Sequence, residues 1–169
     1  MLEKQWSWTE ELTQFTLEQG VNKVIWIEQQ EELQNIKKEY QTDGYWSGFY
    51  CVKRKIILIN LLALKSQSKW EFYRYGGLLL TTETNDNSLD ALSVYEMKSE
   101  EEVLEKLSLL TLCHEIQHYI QDKQNRLGEP LEHLRTEDLE LEAETVGSKC
   151  LLSFKQHGNL NGIKDLLAI

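Results

Sequence analysis

Residues 114–118 read His-Glu-Ile-Gln-His, and His114 and His118 are the one pair among the chain's four histidines set four apart. On a helix of about 3.6 residues per turn that spacing puts both imidazoles on one face, close enough to share a divalent metal ion. Glu115 stands next to that face. A metal held there lowers the pKa of a bound water from 15.7 to about 7, and an adjacent carboxylate can act as its general base. The plainer account is a pair of core histidines satisfied by backbone or carboxylate. Against it stands the setting, an unusually apolar stretch in which polar rings need partners.

A zinc ion open for chemistry takes three protein ligands and keeps one position free, so a third ligand must come from elsewhere. The extended pattern HExxHxxGxxH would need Gly at 121 and His at 124, where the chain has Gln121 and Gln124. The remaining source is a later helix. Glu140-Leu141-Glu142-Ala143-Glu144 begins 22 residues after His118, far enough for a loop and an antiparallel return. Glu140 and Glu144 share a helical face, and Ala143 lets a second helix come close. Glu140 is thus the candidate third ligand. Glu144 is the candidate acceptor for the ring N–H of a ligand histidine, a contact that fixes tautomer and raises basicity. His133 is the rival ligand. A solvated acidic face over Glu137, Asp138, Glu140, Glu142 and Glu144 is the ordinary alternative.

These residues need elements to place them. Ser99 and Glu102 form a capping box, the three glutamates 100–102 suit a helix N-terminus, and nothing breaks the pattern until Gly128 and Pro130. The sequence therefore predicts a long central helix from Ser99 to about Arg126, apolar around most of its middle. Thr136 caps a second helix running toward Lys155. Upstream, Ser7 with Glu10 and the face Trp8, Leu12, Phe15 predict a helix over residues 8–19, ended by Gly20. Val21–Ile27 reads as a strand and Gln29–Tyr40 as a helix. Trp46–Val52 and Ile56–Asn60 flank Lys53-Arg54-Lys55 as an antiparallel hairpin. Gly76-Gly77 suggests a second hairpin, pairing Trp70–Tyr75 with Leu78–Thr82, and Glu83–Ser88 reads as a loop.

A chain of 169 residues fits a single domain, residues 1–169, with 41% apolar and 27% charged side chains as in globular proteins. A net charge of -10 disfavours nucleic acid, which binds through clustered Lys and Arg. No apolar run is long enough to span a bilayer, and the start lacks the pattern of a secretory signal, so a cytoplasmic protein without membrane attachment is expected. Cys51, Cys113 and Cys150 form no CxxC pair and read as buried, reduced thiols. With no cysteine usefully placed beside the histidines, a closed structural zinc site is disfavoured.

HEIQH followed by ELEAE resembles the gluzincin branch of the zincin metallopeptidases, which carry HExxH on one helix and E-x-x-A-(D/N/E) on the next. The segment GFYCVKRKIILIN ahead of the central helix is similar to the hairpin that precedes HExxH in the ImmA/IrrE-like group. That group commonly has Gly before the second histidine, where this chain has Gln117, and residues 65–98 look like an insertion. The resemblance implies an α+β, minimal zincin-like fold: a mixed or antiparallel sheet packed on the HExxH helix, with a second ligand-bearing helix. It further implies a zinc-dependent peptidase with His114, His118 and Glu140 on the metal and Glu115 as general base. The sheet edge would hold an extended protein or peptide substrate, in that group often a regulatory protein.

The competing expectation is a non-catalytic module that keeps the fold and captures a partner strand at the sheet edge. Manganese or iron could occupy the same His2Glu set. Tyr119, His133, Arg135 and His157 are candidates for stabilising an oxyanion, none favoured over a structural role. Trp46, Phe49 and Tyr50 are expected in the core rather than the site.

Overall fold

The computed structural model describes residues 6–75, 78–82, 92–96, 99–127 and 137–168. Their elements are α1 (Thr9–Glu18), β1 (Lys23–Ile27), α2 (Gln30–Tyr40), β2 (Gly48–Cys51), β3 (Ile56–Asn60), α3 (Leu61–Tyr75), β4 (Leu78–Thr82), β5 (Leu92–Glu96), α4 (Glu100–Lys123), α5 (Glu137–His157) and α6 (Asn161–Leu166). The class is α+β, as the residue pattern leads one to expect. Among the described residues no helix is long and apolar enough to cross a membrane.

β3 is buried along its whole length and forms the middle of a three-stranded mixed sheet, in the order β1-β3-β2. β2 joins it as the expected antiparallel hairpin, with Phe49 opposite Leu58, and the turn between them closes through Lys55 at a φ of 55°. β1 runs parallel to β3, with Ile25 opposite Leu58. A parallel partner requires an intervening crossover, and α2 lies on that route.

α4 is the centre of the molecule. Leu104, Leu107, Leu109, Leu112, Cys113, Ile116, Tyr119 and Ile120 are all buried in the main core cluster. Each full-sized apolar side chain so buried contributes on the order of 1.5–3 kcal/mol. Its start is the expected one: Ser99 Oγ accepts from the Glu102 amide at 3.2 Å. One side of α4 meets the sheet and α3, and another meets the antiparallel α5. Ala143, Gly147, Cys150 and Leu151 face inward from α5, and a Cβ at Gly147 would lie 3.2 Å from the Leu110 carbonyl oxygen. Small residues here let the two helices close on each other.

Two expectations fail. Trp70–Tyr75 is no hairpin strand but the end of α3, and Leu78–Thr82 pairs with Leu92–Glu96 instead. Asn60 provides the reason: its Oδ1 accepts from the Ala63 amide at 3.3 Å while its Nδ2 donates to the Trp46 carbonyl at 3.1 Å. One side chain thereby ends β3 and starts a helix at once, and Leu61, Leu62, Ala63, Leu64 and Lys65 are good helix formers. The Ser7–Glu10 capping box also does not form. α1 has Trp8 at its N-cap with no side-chain cap, and Thr9 Oγ1 accepts from the Trp6 amide instead. Thr136 and the loop Glu83–Ser88 fall outside the described residues. All three cysteines are buried thiols without disulfides.

Candidate metal centre

Six polar residues of α4 are buried, Ser108, Thr111, Glu115, Gln117, His118 and Gln121, and the last four carry large polar groups. A buried polar group left without a partner costs roughly 1–3 kcal/mol, so such a group in the core helix calls for a purpose or a network. Both are present. His114 and His118 lie side by side on α4, with Nε2 atoms 3.1 Å apart. From α5, Glu140 brings Oε2 to 3.3 Å from His114 Nε2 and Oε1 to 3.1 Å from His118 Nε2. Among the described residues this is the one group of three or more His, Cys, Asp or Glu side chains whose ligand atoms converge.

The spacing can be tested against a metal. Ligand atoms bonded tetrahedrally at about 2.0–2.1 Å stand roughly 3.3 Å from one another. The observed separations of 3.1–3.3 Å fit that edge. The donor set, two imidazoles and a carboxylate, suits zinc, manganese or iron, and the geometry does not select among them. The chemistry of the facing atoms also favours a cation, because imidazole lone pairs and a carboxylate repel one another unless a proton or a metal lies between them. His114 shows this. Burial opposes its charged form, yet the hydrogen bond to Glu140 and the charges of Glu115, Glu140 and Glu144 outweigh it and raise its pKa. The two histidines hold Glu140 well below the usual carboxylate range.

Access is one-sided. The His118 side chain is 4% exposed and that of His114 17%, but Glu140 is 41% exposed. The triad opens into a cleft of ≈ 460 Å³ whose walls include Glu115, Glu144, Trp46, Phe49, Leu110 and Thr111. A closed structural site would have a fourth protein ligand in that opening. Glu115 is buried in the wall against the start of β2: a Cβ built on Gly48 would lie 2.8 Å from its Oε1 and 2.7 Å from Thr111 Cγ2. β2 is pinned at its far end, where the Tyr50 hydroxyl and the Lys55 ammonium both donate to Asp122 in the last turn of α4. Backbone pairing directs Gly48 outward. The Asn60 amide donates to the Ser47 carbonyl, and ladder alternation then turns the N–H and C=O of Gly48 away from β3, toward the outer edge of the sheet.

His114, His118, Glu140 and Glu115 therefore meet at one place. Glu144 also lines the cleft and bears on His114 through its charge, while the acceptor facing the His118 ring nitrogen Nδ1 is Gln121 Oε1, at 2.8 Å. The sequence pattern marks Gln121 only as a mismatch to HExxHxxGxxH. Its signal was available, three residues beyond His118 and so on the same helical face. Trp46 and Phe49, expected in the core alone, are half-buried with ring centroids 5.8 Å apart, and they serve both the second core cluster and the cleft wall. Tyr50 is buried as expected and also reaches that wall. Tyr119 is structural, its hydroxyl donating to the Gln19 carbonyl at 2.7 Å. His157 is exposed at the end of α5, and His133 and Arg135 lie outside the described residues.

No protein-family model matches the chain, and comparison with curated proteins and with solved structures finds no match either.

Proposed function

We propose that this protein is a zinc-dependent metallopeptidase of the zincin type, with His114, His118 and Glu140 as metal ligands and Glu115 as general base. One observation carries the reading: three ligand atoms, supplied by two helices, converge within 4.8 Å at the wall of an open cleft that also holds a buried glutamate. A zinc ion held by His114, His118 and Glu140 would supply a Lewis acid and lower the pKa of water. Glu115 is the group placed to take a proton from the attacking water and deliver it to the leaving amine. Gly48 offers outward backbone groups to an extended peptide, as in strand addition to a sheet edge. Trp46 and Phe49 give the cleft an apolar wall for substrate side chains. The expected substrate is a protein or peptide, handled in the cytoplasm, and a regulatory protein suits an edge that reads extended chain.

The test is metal analysis of purified wild type beside His114→Ala, Glu140→Ala and Glu115→Gln, with hydrolysis of a quenched-fluorescence peptide library. Wild type and Glu115→Gln should carry equal metal, the two ligand variants much less, and only wild type should hydrolyse. Equal metal in wild type and His114→Ala, or unchanged hydrolysis in Glu115→Gln, would refute the proposal.

A further inference from the structure

Gln121 is fully buried, and its amide is used at both ends. Its Nε2 lies 3.0 Å from the Leu139 carbonyl oxygen and 3.0 Å from Glu142 Oε2. Glu142 is also held from its other side, where Arg126 donates to both of its oxygens, at 2.7 and 3.1 Å. A carbonyl and a carboxylate only accept, so the atom facing them must be the donating amide nitrogen, and the orientation of the Gln121 side chain follows. Its oxygen then faces His118 Nδ1 at 2.8 Å. An amide oxygen only accepts, so Nδ1 carries a hydrogen. In the neutral ring this leaves the lone pair on Nε2, the atom that points at His114 and Glu140.

We propose that Gln121 is a positioning residue of the metal centre, one that locks His118 in its Nδ1–H form and ties that lock to the turn of α5 carrying Glu140. The inference rests on the metal-centre reading above and extends the motif by one helical turn, to HEIQHxxQ. A carboxylate commonly fills this role. The neutral amide does so without adding charge to a cleft that already holds Glu115, Glu140 and Glu144. It also couples two ligands from different helices. The donors that orient Oε1 toward His118 have their acceptors on α5, at Leu139 and Glu142, on either side of Glu140. Docking of α5 and selection of the His118 tautomer therefore occur together.

The experiment compares wild type with Gln121→Met, which removes acceptor and donors at similar length, and Gln121→Glu, which keeps the acceptor and gives up the amide donors. Zinc affinity is measured by chelator competition. The tautomer of His118 is read from side-chain 15N shifts of the metal-free protein at about pH 9, where an ordinary imidazole is neutral. Wild-type His118 should be protonated on Nδ1. Gln121→Met should bind zinc about 10–100-fold more weakly and show the Nε2–H form, and Gln121→Glu should retain Nδ1–H and recover part of the affinity. Wild-type His118 protonated on Nε2 would overturn the inference, and that measurement holds even if a variant does not fold. Zinc binding by Gln121→Met within about threefold of wild type would overturn it alone. A wild type that binds no zinc would overturn both this inference and the metallopeptidase reading.

Discussion

Replacing Gly48 by alanine adds one methyl group where the cleft has no room for it. The new Cβ would stand 2.7 Å from Thr111 Cγ2, 2.8 Å from Glu115 Oε1 and 2.9 Å from Glu115 Cγ, whereas ordinary contact begins at 3.4 Å. Relief requires a shift of about 0.6 Å at Glu115 or at β2, since both are held by packing. A misplacement near 1 Å at a reacting group costs about a hundredfold in rate, so Gly48→Ala should lower kcat/KM by about tenfold to a hundredfold, or about 1.4–2.7 kcal/mol of barrier. Metal content should not change, because the three nearest atoms to the added carbon belong to Thr111 and Glu115 and none to His114, His118 or Glu140. Overpacking should also cost about 1–3 kcal/mol of stability. Thr111→Ser in the same chain removes the Cγ2 contact and should restore part of that stability while leaving activity low, because the Glu115 contacts persist. The assays are peptide hydrolysis, metal analysis and denaturant melts on the same preparations. Wild-type rates in Gly48→Ala would refute the placement of Glu115 against β2.

Tyr50→Phe removes the 2.6 Å hydrogen bond to Asp122 and should cost about 1.5–3 kcal/mol in a urea melt, since the acceptor is charged. Burial, then the bond to Asp122, raise the Tyr50 pKa above its ordinary 10.0. A pKa raised in the folded state gives stability that is complete below pH 10 and is lost as pH rises beyond it, so wild type should weaken more steeply than Tyr50→Phe above about pH 10. Parallel melting curves for the two would contradict this. Gly147→Val should push α5 from α4, because even a Cβ there sits 3.2 Å from the Leu110 carbonyl oxygen. Lower thermal stability and weaker zinc binding, with every ligand intact, are expected, and unchanged zinc affinity would argue against helix spacing as its control. Asn60→Ala should free the Trp46 carbonyl and should cost about 1–2 kcal/mol through loss of the α3 cap, which faster hydrogen exchange at the Ala63 amide reports.

The sequence alone was sufficient wherever the deciding interactions are local. Ser99 and its first-turn glutamates start α4, a four-residue interval puts His114 and His118 on one face, and Gly20, at a φ of 115°, ends α1. The same periodicity put Glu140 and Glu144 on one face of α5, with Ala143 small enough to let a second helix approach. Tertiary structure decided what depends on distant partners. Whether Glu140 reaches the histidines depends on the antiparallel return of α5 and on how closely Gly147 lets it lie. The parallel pairing of β1 with β3 has no local signature. Trp70–Tyr75 reads as a strand on its own and is helical because Asn60 starts α3 through two residues, Trp46 and Ala63, that lie far apart in the chain. Gln121 looked like a departure from a known pattern, and only the acceptors on α5 gave its amide an orientation. Spacing along a helix is a property of the backbone, whereas the atom a buried amide presents to its neighbour is set by every group packed around it.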